Sequence, residues 1–246
     1  MTYCIGIRLN AGLVLLADTR TNAGVDNISR FRKLFTWSIP GERAFAMLTS
    51  GNLATTQAVI SLLQERMDRP QDGVDNLMTA PSMFRMAELV GGAMREVQNR
   101  YAQGLSATNE DGGATIVLAG HRTGGQPRLF MIYPAGNFIE ATPDSPYFQI
   151  GEHKYGKPIL DRVITPDTTL EDAKTAALLS MDSTLRSNLT VGMPLDLAVL
   201  SAGSFTFSEL RRIEPDDPHF HALSHAWSEM LLNSFHEARE RAANNV

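Results

Sequence analysis

Three side chains near the start of the chain, Thr2, Asp18 and Lys33, are of the types that together perform acyl transfer. A threonine hydroxyl is a weak nucleophile until a base accepts its proton, and an α-amine, with a pKa of roughly 7.7–8.0, can act as that base near neutral pH. Removal of Met1, which is favoured by a small second residue, would give Thr2 both groups. We therefore expect an N-terminal threonine nucleophile, provided that the other two side chains lie beside it.

The first predicted strand alternates apolar and polar residues, and together with the returning strand LVLLADTR it can bring these side chains together as a hairpin. If Ala11 is the centre of a three-residue loop, Thr2 lies opposite Arg20, and Thr2 and Asp18 become diagonal neighbours on one face. A long cationic side chain from the next strand can bridge that gap. Lys33, in the third predicted strand, is the candidate.

The charges of this trio are consistent with catalysis. Asp18 would hold the Lys33 ammonium in place, and the ammonium would favour the neutral form of the amine and stabilise negative charge on the threonine oxygen. Taken singly, each residue has an ordinary interpretation: Thr2 as an unused second residue, Asp18 as a strand-end carboxylate, and Lys33 as a solvated surface charge.

The elements that must position these residues follow the order strands, two helices, strands, helix, strands, helix, which is typical of the α+β class. The patterns predict two stacked antiparallel sheets covered by helices, with the whole chain, 1–246, as one domain and about 217–243 as a C-terminal helical extension. The predicted segments are strands at 2–9, 13–20, 31–38, 43–49, 114–120, 128–133, 138–142, 147–151, 195–202 and 204–213, and helices at 51–69, after 82, 170–186 and around 223–235.

Composition excludes several classes of protein. The net charge of −5 gives no basic surface for nucleic acid, and no apolar run approaches the roughly 18 residues of a membrane span. The single cysteine, Cys4, cannot form an internal disulfide, which fits a reducing compartment. We expect a cytoplasmic protein that binds neither nucleic acid nor membrane.

Several segments together resemble the proteasome β-subunit family of N-terminal nucleophile (Ntn) hydrolases, and within it the bacterial ancestral-type branch, Anbu. These segments are TYCIGIRLNAGLVLLADTR, FRKLF, TSGNLATTQ, IGEHKYGKPIL and VGMPLDLAVL. The resemblance implies a four-layer αββα sandwich of two antiparallel sheets, with an extra C-terminal helix. It implies Thr2 as nucleophile, Asp18 and Lys33 as its charged partners, and Gly51 as the residue whose N–H binds the oxyanion.

The resemblance also implies a set of binding properties. Substrate would contact Thr21, Phe35, Thr49 and Leu53, a set of small or apolar residues that would accept apolar side chains. No cofactor and no metal are implied. The chain would assemble with copies of itself, as a closed ring or as an open or helical ring.

The sequence departs from the family pattern at two places. It has Gly151-Glu152-His153 where ordinary β-subunits have Gly-Ser-Gly, and Asn188 and Val191, with Thr190 close by, replace an Asp-x-x-Ser pair that supports the terminal amine. Glu152 either substitutes electrostatically for the lost groups or is an ordinary surface residue.

Three functions remain open at this point. The chain is a threonine peptidase of the proteasome type, a ring- or helix-forming scaffold or binding protein with a weak or silent site, or an amidase for a small non-protein amide. A metal site at His219, His221 and His225 is a weaker alternative, because the sequence lacks HExxH and further ligands are not apparent.

Overall fold

The computed structural model describes residues 2–22, 28–108 and 111–244. It has the predicted α+β architecture, in which two five-stranded antiparallel sheets lie face to face and helices cover both outer faces. The elements are β1 (Tyr3–Leu9), β2 (Gly12–Asp18), β3 (Arg20–Asn22), β4 (Ile28–Arg30), β5 (Leu34–Ile39), β6 (Arg43–Gly51), α1 (Leu53–Asp68), α2 (Met83–Thr108), β7 (Ala114–Arg122), β8 (Arg128–Ile132), β9 (Phe138–Glu140), β10 (Tyr147–Gly151), α3 (Lys157–Val163), α4 (Leu170–Ser187), β11 (Leu195–Ser201), β12 (Glu209–Ile213) and α5 (Pro218–Asn244).

The strand order separates the layers. The first sheet runs β10-β1-β2-β11-β12 and is covered by α3 and α4, whereas the second runs β5-β6-β7-β8-β9 and is covered by α1 and α2. Alternate residues of β1 and β2 point to opposite faces, so one set packs under the helices and the other fills the space between the sheets. Thus β1 and β2 are buried on both faces, which explains their nearly continuous apolar sequence.

The predicted register of the first hairpin is wrong by one residue. The predicted register sets Cys4 opposite Asp18, whereas the structure pairs Cys4 with Ala17, so extension of the ladder by one pair sets Tyr3 opposite Asp18. The cause is a tight turn in which Gly12 already belongs to β2 at a φ of 142°. A Cβ on Gly12 would lie 2.1 Å from the carbonyl oxygen of Leu200, so the turn depends on glycine.

Several boundaries differ from the predictions. The third predicted strand begins only at Leu34, the strand predicted over 204–213 is limited to Glu209–Ile213, and α3 was not predicted. The short pair β3 and β4 was also missed, and it forms a separate two-stranded sheet. Residues 31–33 leave the strand because Phe31 donates its N–H to the carbonyl of Thr19 instead.

Helix α5 is the extra C-terminal helix, and its start is anchored to the first sheet and to α4. Phe220 is buried under the first sheet, and the Ser224 hydroxyl donates to Asp182 Oδ1 at 2.7 Å. Beyond this point the exposed residues include Met230, Leu231, Leu232 and Phe235. None of the described helices combines the length and the apolarity needed to cross a membrane.

Candidate active site

Asp18 and Lys33 form a buried ion pair where β2 ends. Lys33 Nζ lies 2.7 Å from Asp18 Oδ1 and 2.5 Å from the carbonyl oxygen of Arg20. Both side chains are almost fully buried. β2 ends at Asp18, and Lys33 comes from the segment before β5, so the pair joins the first sheet to the second.

The Asp18 carboxylate also binds two backbone N–H groups. The N–H of Tyr3 donates to Oδ1 at 3.0 Å, and the N–H of Gly192 donates to Oδ2 at 3.2 Å. Burial raises the pKa of Asp18, and the Lys33 ammonium and these two N–H groups act in the opposite direction. One oxygen therefore connects the Lys33 ammonium with the peptide group that directly follows Thr2.

The backbone of Thr2 is held by the segment that follows β10, the strand that pairs with β1 on the side away from β2. Its carbonyl oxygen accepts the N–H of Glu152 at 2.7 Å, which continues the antiparallel pairing of β1 with β10. Gly151 adopts a φ of +83°, and a Cβ there would lie 2.1 Å from the carbonyl oxygen of Thr2 and 3.0 Å from Ser50 Oγ. Thr2 is buried, and Met1, whose removal the prediction requires, lies outside the described residues.

Gly51 lies where β6 ends and just before α1, as the sequence predicted. Its φ is +106°, and an added Cβ would lie 2.4 Å from the carbonyl oxygen of Gly113, so the turn needs glycine. The Asn52 side chain caps α1 by accepting the N–H of Thr55 at 3.1 Å. The N-terminus of α1, which is the positive end of the helix dipole, therefore lies at this turn, where it favours the binding of a negatively charged group.

A second polar cluster, in which Glu152 and Asn188 are buried and Thr190 is half-buried, lies beside Thr2. Glu152 Oε2 accepts the amide N–H of Asn188 at 2.8 Å, and Asn188 Oδ1 accepts the hydroxyl of Thr190 at 2.6 Å. Although burial acts in the opposite direction, the N–H groups of Lys154 and His153 and the Asn188 amide lower the pKa of Glu152. The interpretation of Glu152 as a surface residue is therefore wrong, because its side chain is buried and hydrogen-bonded.

The predicted substrate residues are unevenly placed. Thr49 is next to the ion pair, since its N–H donates to the carbonyl of Lys33 at 3.0 Å. Phe35, in β5, stacks with Trp37 at 6.3 Å and lines a cleft of about 430 Å³ between β5 and α1. Thr21 lies in the small β3–β4 sheet and Leu53 begins α1. Lys33 binds the carbonyl of the residue before Thr21, but within the described residues no hydrogen bond or ion pair joins the side chain of Thr21 or Leu53 to the ion pair.

Two groups at the site were missed from the sequence. The N–H of Gly192 binds Asp18, and Ser50 Oγ lies next to the Gly151–Thr2 contact. Gly192 is part of the VGMP segment, but only the three-dimensional structure brings its backbone to Asp18. The histidines of α5 form no metal site: in the described residues, no group of three or more His, Cys, Asp or Glu side chains could hold a metal ion.

Comparison with known proteins identifies the family. The model of the proteasome subunit family matches residues 2–200. Proteasome subunit beta 2 of Pyrobaculum neutrophilum is 25% identical over 215 residues, which span 84% of this chain and 92% of that protein. Among solved structures, Anbu (ancestral beta-subunit) from Yersinia bercovieri is 50% identical with a TM-score of 0.89, over 95% of this chain and 96% of that one.

A second solved structure, the helical assembly of the Anbu complex from Pseudomonas aeruginosa, is 49% identical with a TM-score of 0.90 and covers 96% of both chains. Identity near one half over almost the whole length, with the same fold, confirms the resemblance stated from the sequence. The chain belongs to the proteasome subunit family, within its Anbu, or ancestral beta-subunit, branch.

Proposed function

We propose that this chain is a threonine peptidase that hydrolyses peptide bonds through an acyl-enzyme on Thr2 after removal of Met1. The observation that carries the proposal is the buried pair of Lys33 and Asp18, whose Oδ1 atom also accepts the N–H of Tyr3. A buried ammonium tied to the peptide group next to Thr2 supplies the positive charge that the chemistry needs.

In the first step, the free α-amine of Thr2 accepts the hydroxyl proton, directly or through one water, while Oγ attacks the substrate carbonyl carbon. Negative charge develops on the carbonyl oxygen, for which the N–H of Gly51 is the proposed donor. Lys33, oriented by Asp18, stabilises the charge on Oγ and favours the neutral amine.

In the second step, the carbon–nitrogen bond breaks and the protonated amine of Thr2 gives its proton to the leaving amine, which leaves an ester on Oγ. Water then attacks the ester and the α-amine accepts a proton from it. The ester bond breaks, Oγ regains its proton and the carboxylic acid product departs. The α-amine of Thr2 therefore serves as base and then as acid both in the formation of the acyl-enzyme and in its hydrolysis.

Labelling with a threonine-directed β-lactone, read by intact-protein mass spectrometry, tests the nucleophile. We expect a single adduct on protein lacking Met1, its loss in Thr2→Ala, and its retention in the matched variant Thr2→Ser. An unlabelled wild type that has lost Met1, or equal labelling of Thr2→Ala, would overturn the proposal. Retention of Met1 in most molecules would do the same.

The substrate class is the finer part of the proposal. Phe35 and Thr49, together with the other predicted contacts, carry no charge and suit apolar side chains. A peptide library compared with single small amides separates a peptidase from an amidase. We expect cleavage of several peptides after apolar residues, and turnover of one small amide alone would favour the amidase alternative.

We also propose that the chain works as a homo-oligomer, in an open or helical ring, by analogy with its Pseudomonas relative. The exposed apolar residues of α5 favour a role in assembly. They also support the alternative of a scaffold whose site is weak or silent. If Thr2→Ala assembles normally and retains the cellular role, the scaffold is the better description.

A further inference from the structure

We propose a second binding site, in the cleft between β5 and β12, for a small organic anion that carries two or more phosphate or carboxylate groups. These strands are the outer strands of the two sheets on the same side of the molecule. The cleft between them has a volume of about 520 Å³. Four of its lining residues are arginines, namely Arg30, Arg32, Arg211 and Arg212.

Three of these guanidinium groups are held in place by contacts that leave donors unused. Arg32 Nε donates to the carbonyl of Leu34 at 2.5 Å, and its guanidinium lies 5.5 Å from the centre of the Phe35 ring. Arg212 forms a two-pronged contact with Asp196 at 2.8 and 3.1 Å, and Arg211 pairs with Asp217. Because a guanidinium has five N–H donors, Arg32 and Arg212 can still bind a ligand oxygen in a fixed direction, whereas Arg211 lies on the opposite face of β12 from Arg212.

The charge of the cleft is incompletely balanced. Asp196 and Asp217 compensate Arg212 and Arg211, but within the described residues Arg30 and Arg32 form no ion pair. Positive charge collected at one cleft stands out in a chain whose net charge is −5. Planar guanidinium groups match phosphate and carboxylate oxygens in paired hydrogen bonds, so an anion of either type fits this surface.

The size and the apolar lining of the cleft favour an organic ligand over a single inorganic ion. The volume lies within the 300–1,000 Å³ range of ordinary small-molecule sites. Phe31 and Leu210, which are 37% and 58% exposed, contribute apolar surface, and the other two leucines of the lining, Leu34 and Leu197, are buried. A ligand with an apolar body and several anionic groups would cover this surface while it binds the arginines.

The cleft adjoins the candidate active site through the backbone but does not include it. Thr19, which follows Asp18, lines the cleft, and Arg32 and Leu34 lie on either side of Lys33. The N–H of Phe31 donates to the carbonyl of Thr19 at 2.9 Å, so the two walls are connected. Neither Thr2 nor Lys33 itself lines the cleft, and the inference therefore does not depend on the proposed peptidase activity.

Isothermal titration of the full chain with ATP in the absence of magnesium, and separately with citrate, tests the site and distinguishes phosphate from carboxylate ligands. We expect saturable one-to-one binding of at least one probe. The double variant Arg30→Gln/Arg32→Gln should weaken it by about tenfold or more, since each charge-assisted hydrogen bond contributes that order of affinity. Arg100→Gln/Arg162→Gln, which removes the same charge elsewhere, is the matched control and should bind as the wild type does.

Arg30→Gln alone provides the second variant, because Arg30 is exposed and holds no ion pair with described residues. It should weaken binding severalfold while the melting temperature stays unchanged. Absence of saturable binding of both probes at millimolar concentration would overturn the inference. Equal weakening in the control double variant would also overturn it, since that result indicates only a general effect of net charge.

Discussion

The Asp18 carboxylate is the residue around which the candidate site is organised. It accepts from an ammonium and from two backbone N–H groups, so most of its lone-pair positions are used. Burial of two charges costs free energy that their attraction only partly offsets, and removal of one partner leaves the other buried and unpaired. A buried ion pair is weak evidence for a role in stability, and we propose that this pair serves the chemistry at Thr2.

Substitution of Lys33 tests this view. We expect Lys33→Ala to abolish β-lactone labelling of Thr2 and to lower the free energy of unfolding by about 3–5 kcal/mol, because Asp18 loses its countercharge. In Lys33→Ala/Asp18→Asn the loss of stability should be smaller than the sum of the single losses. Urea denaturation and labelling measure the two effects. Normal labelling of a folded Lys33→Ala variant would remove Lys33 from the mechanism.

Glu152 gives a prediction about pH. Its folded-state pKa is lowered below its usual value of 4.5, so its ionised form adds stability that is present above that value and is lost as pH falls through the folded-state pKa. Glu152→Gln should remove this contribution, so the free energy of unfolding of the variant should fall less steeply than that of the wild type as pH decreases below about 4.5. Denaturation at several acidic pH values measures it.

The matched control for Glu152→Gln is Glu214→Gln, which changes an exposed carboxylate. It should keep the acid dependence of the wild type. If Glu152→Gln and Glu214→Gln give the same profile as the wild type, the polar cluster of Glu152, Asn188 and Thr190 does not contribute to stability in the way described.

At the scale of elements, the hairpin of β1 and β2 separates what the sequence could predict from what it could not. The alternation of residues predicts β1, the turn residues at 10–12 predict the return through β2, and the residue types nominate Asp18 and Lys33 as partners. The register depends on whether Gly12 belongs to the loop or to the strand, a difference of one residue that the apolar pattern cannot decide in strands buried on both faces.

Contacts between segments that are distant in the sequence could not be predicted from local patterns. Glu152 follows β10, and Asn188 follows α4, so their hydrogen bond joins parts of the chain that share no local pattern. The N–H of Gly192 reaches Asp18 from the same distant segment. These contacts depend on the tertiary packing, and periodicity carries no information on them. The assignment of the whole chain to one domain stays a prediction.

Gly151, where β10 ends, gives a prediction at this scale. Gly151→Ala would force a residue with a Cβ into a φ of +83° and bring that Cβ to 2.1 Å from the backbone carbonyl oxygen of Thr2. We expect a loss of at least about 1–2 kcal/mol from the backbone conformation, a further loss from the contact, and weaker labelling of Thr2 as its strand shifts. Urea denaturation and β-lactone labelling measure these.

Gly41→Ala is a matched control, because Gly41 has a similar φ of +78° and a Cβ there would meet no atom within 4 Å. It should cost only the conformational part and leave labelling unchanged. If the two variants lose the same stability and label equally, the close approach of Gly151 to Thr2 has no influence on the site.

At the scale of the whole molecule, α5 is the element that the four-layer sandwich does not need. In the part of the chain that the structure describes, the two five-stranded sheets and helices α1–α4 bury three apolar clusters, to one of which α5 contributes Phe220 and the partly buried Leu223. Its later turns expose Leu231 and Phe235, which are four residues apart and so lie on one face of the helix. Exposed apolar residues grouped in this way are typical of an interface.

We therefore expect Leu231→Ser/Phe235→Ser to weaken self-association. Each side chain contributes about 1.5–3 kcal/mol when it is buried, so the double variant should raise the dissociation constant by roughly 100-fold or more. Size-exclusion chromatography with light scattering over a range of concentrations measures the shift toward smaller species. Ile139→Ser/Val163→Ser removes two other exposed apolar side chains and is the matched control. Unchanged assembly of the α5 variant would place the contacts between copies on another surface. Normal β-lactone labelling of Thr2 in a dissociated variant would show that the chemistry does not require assembly.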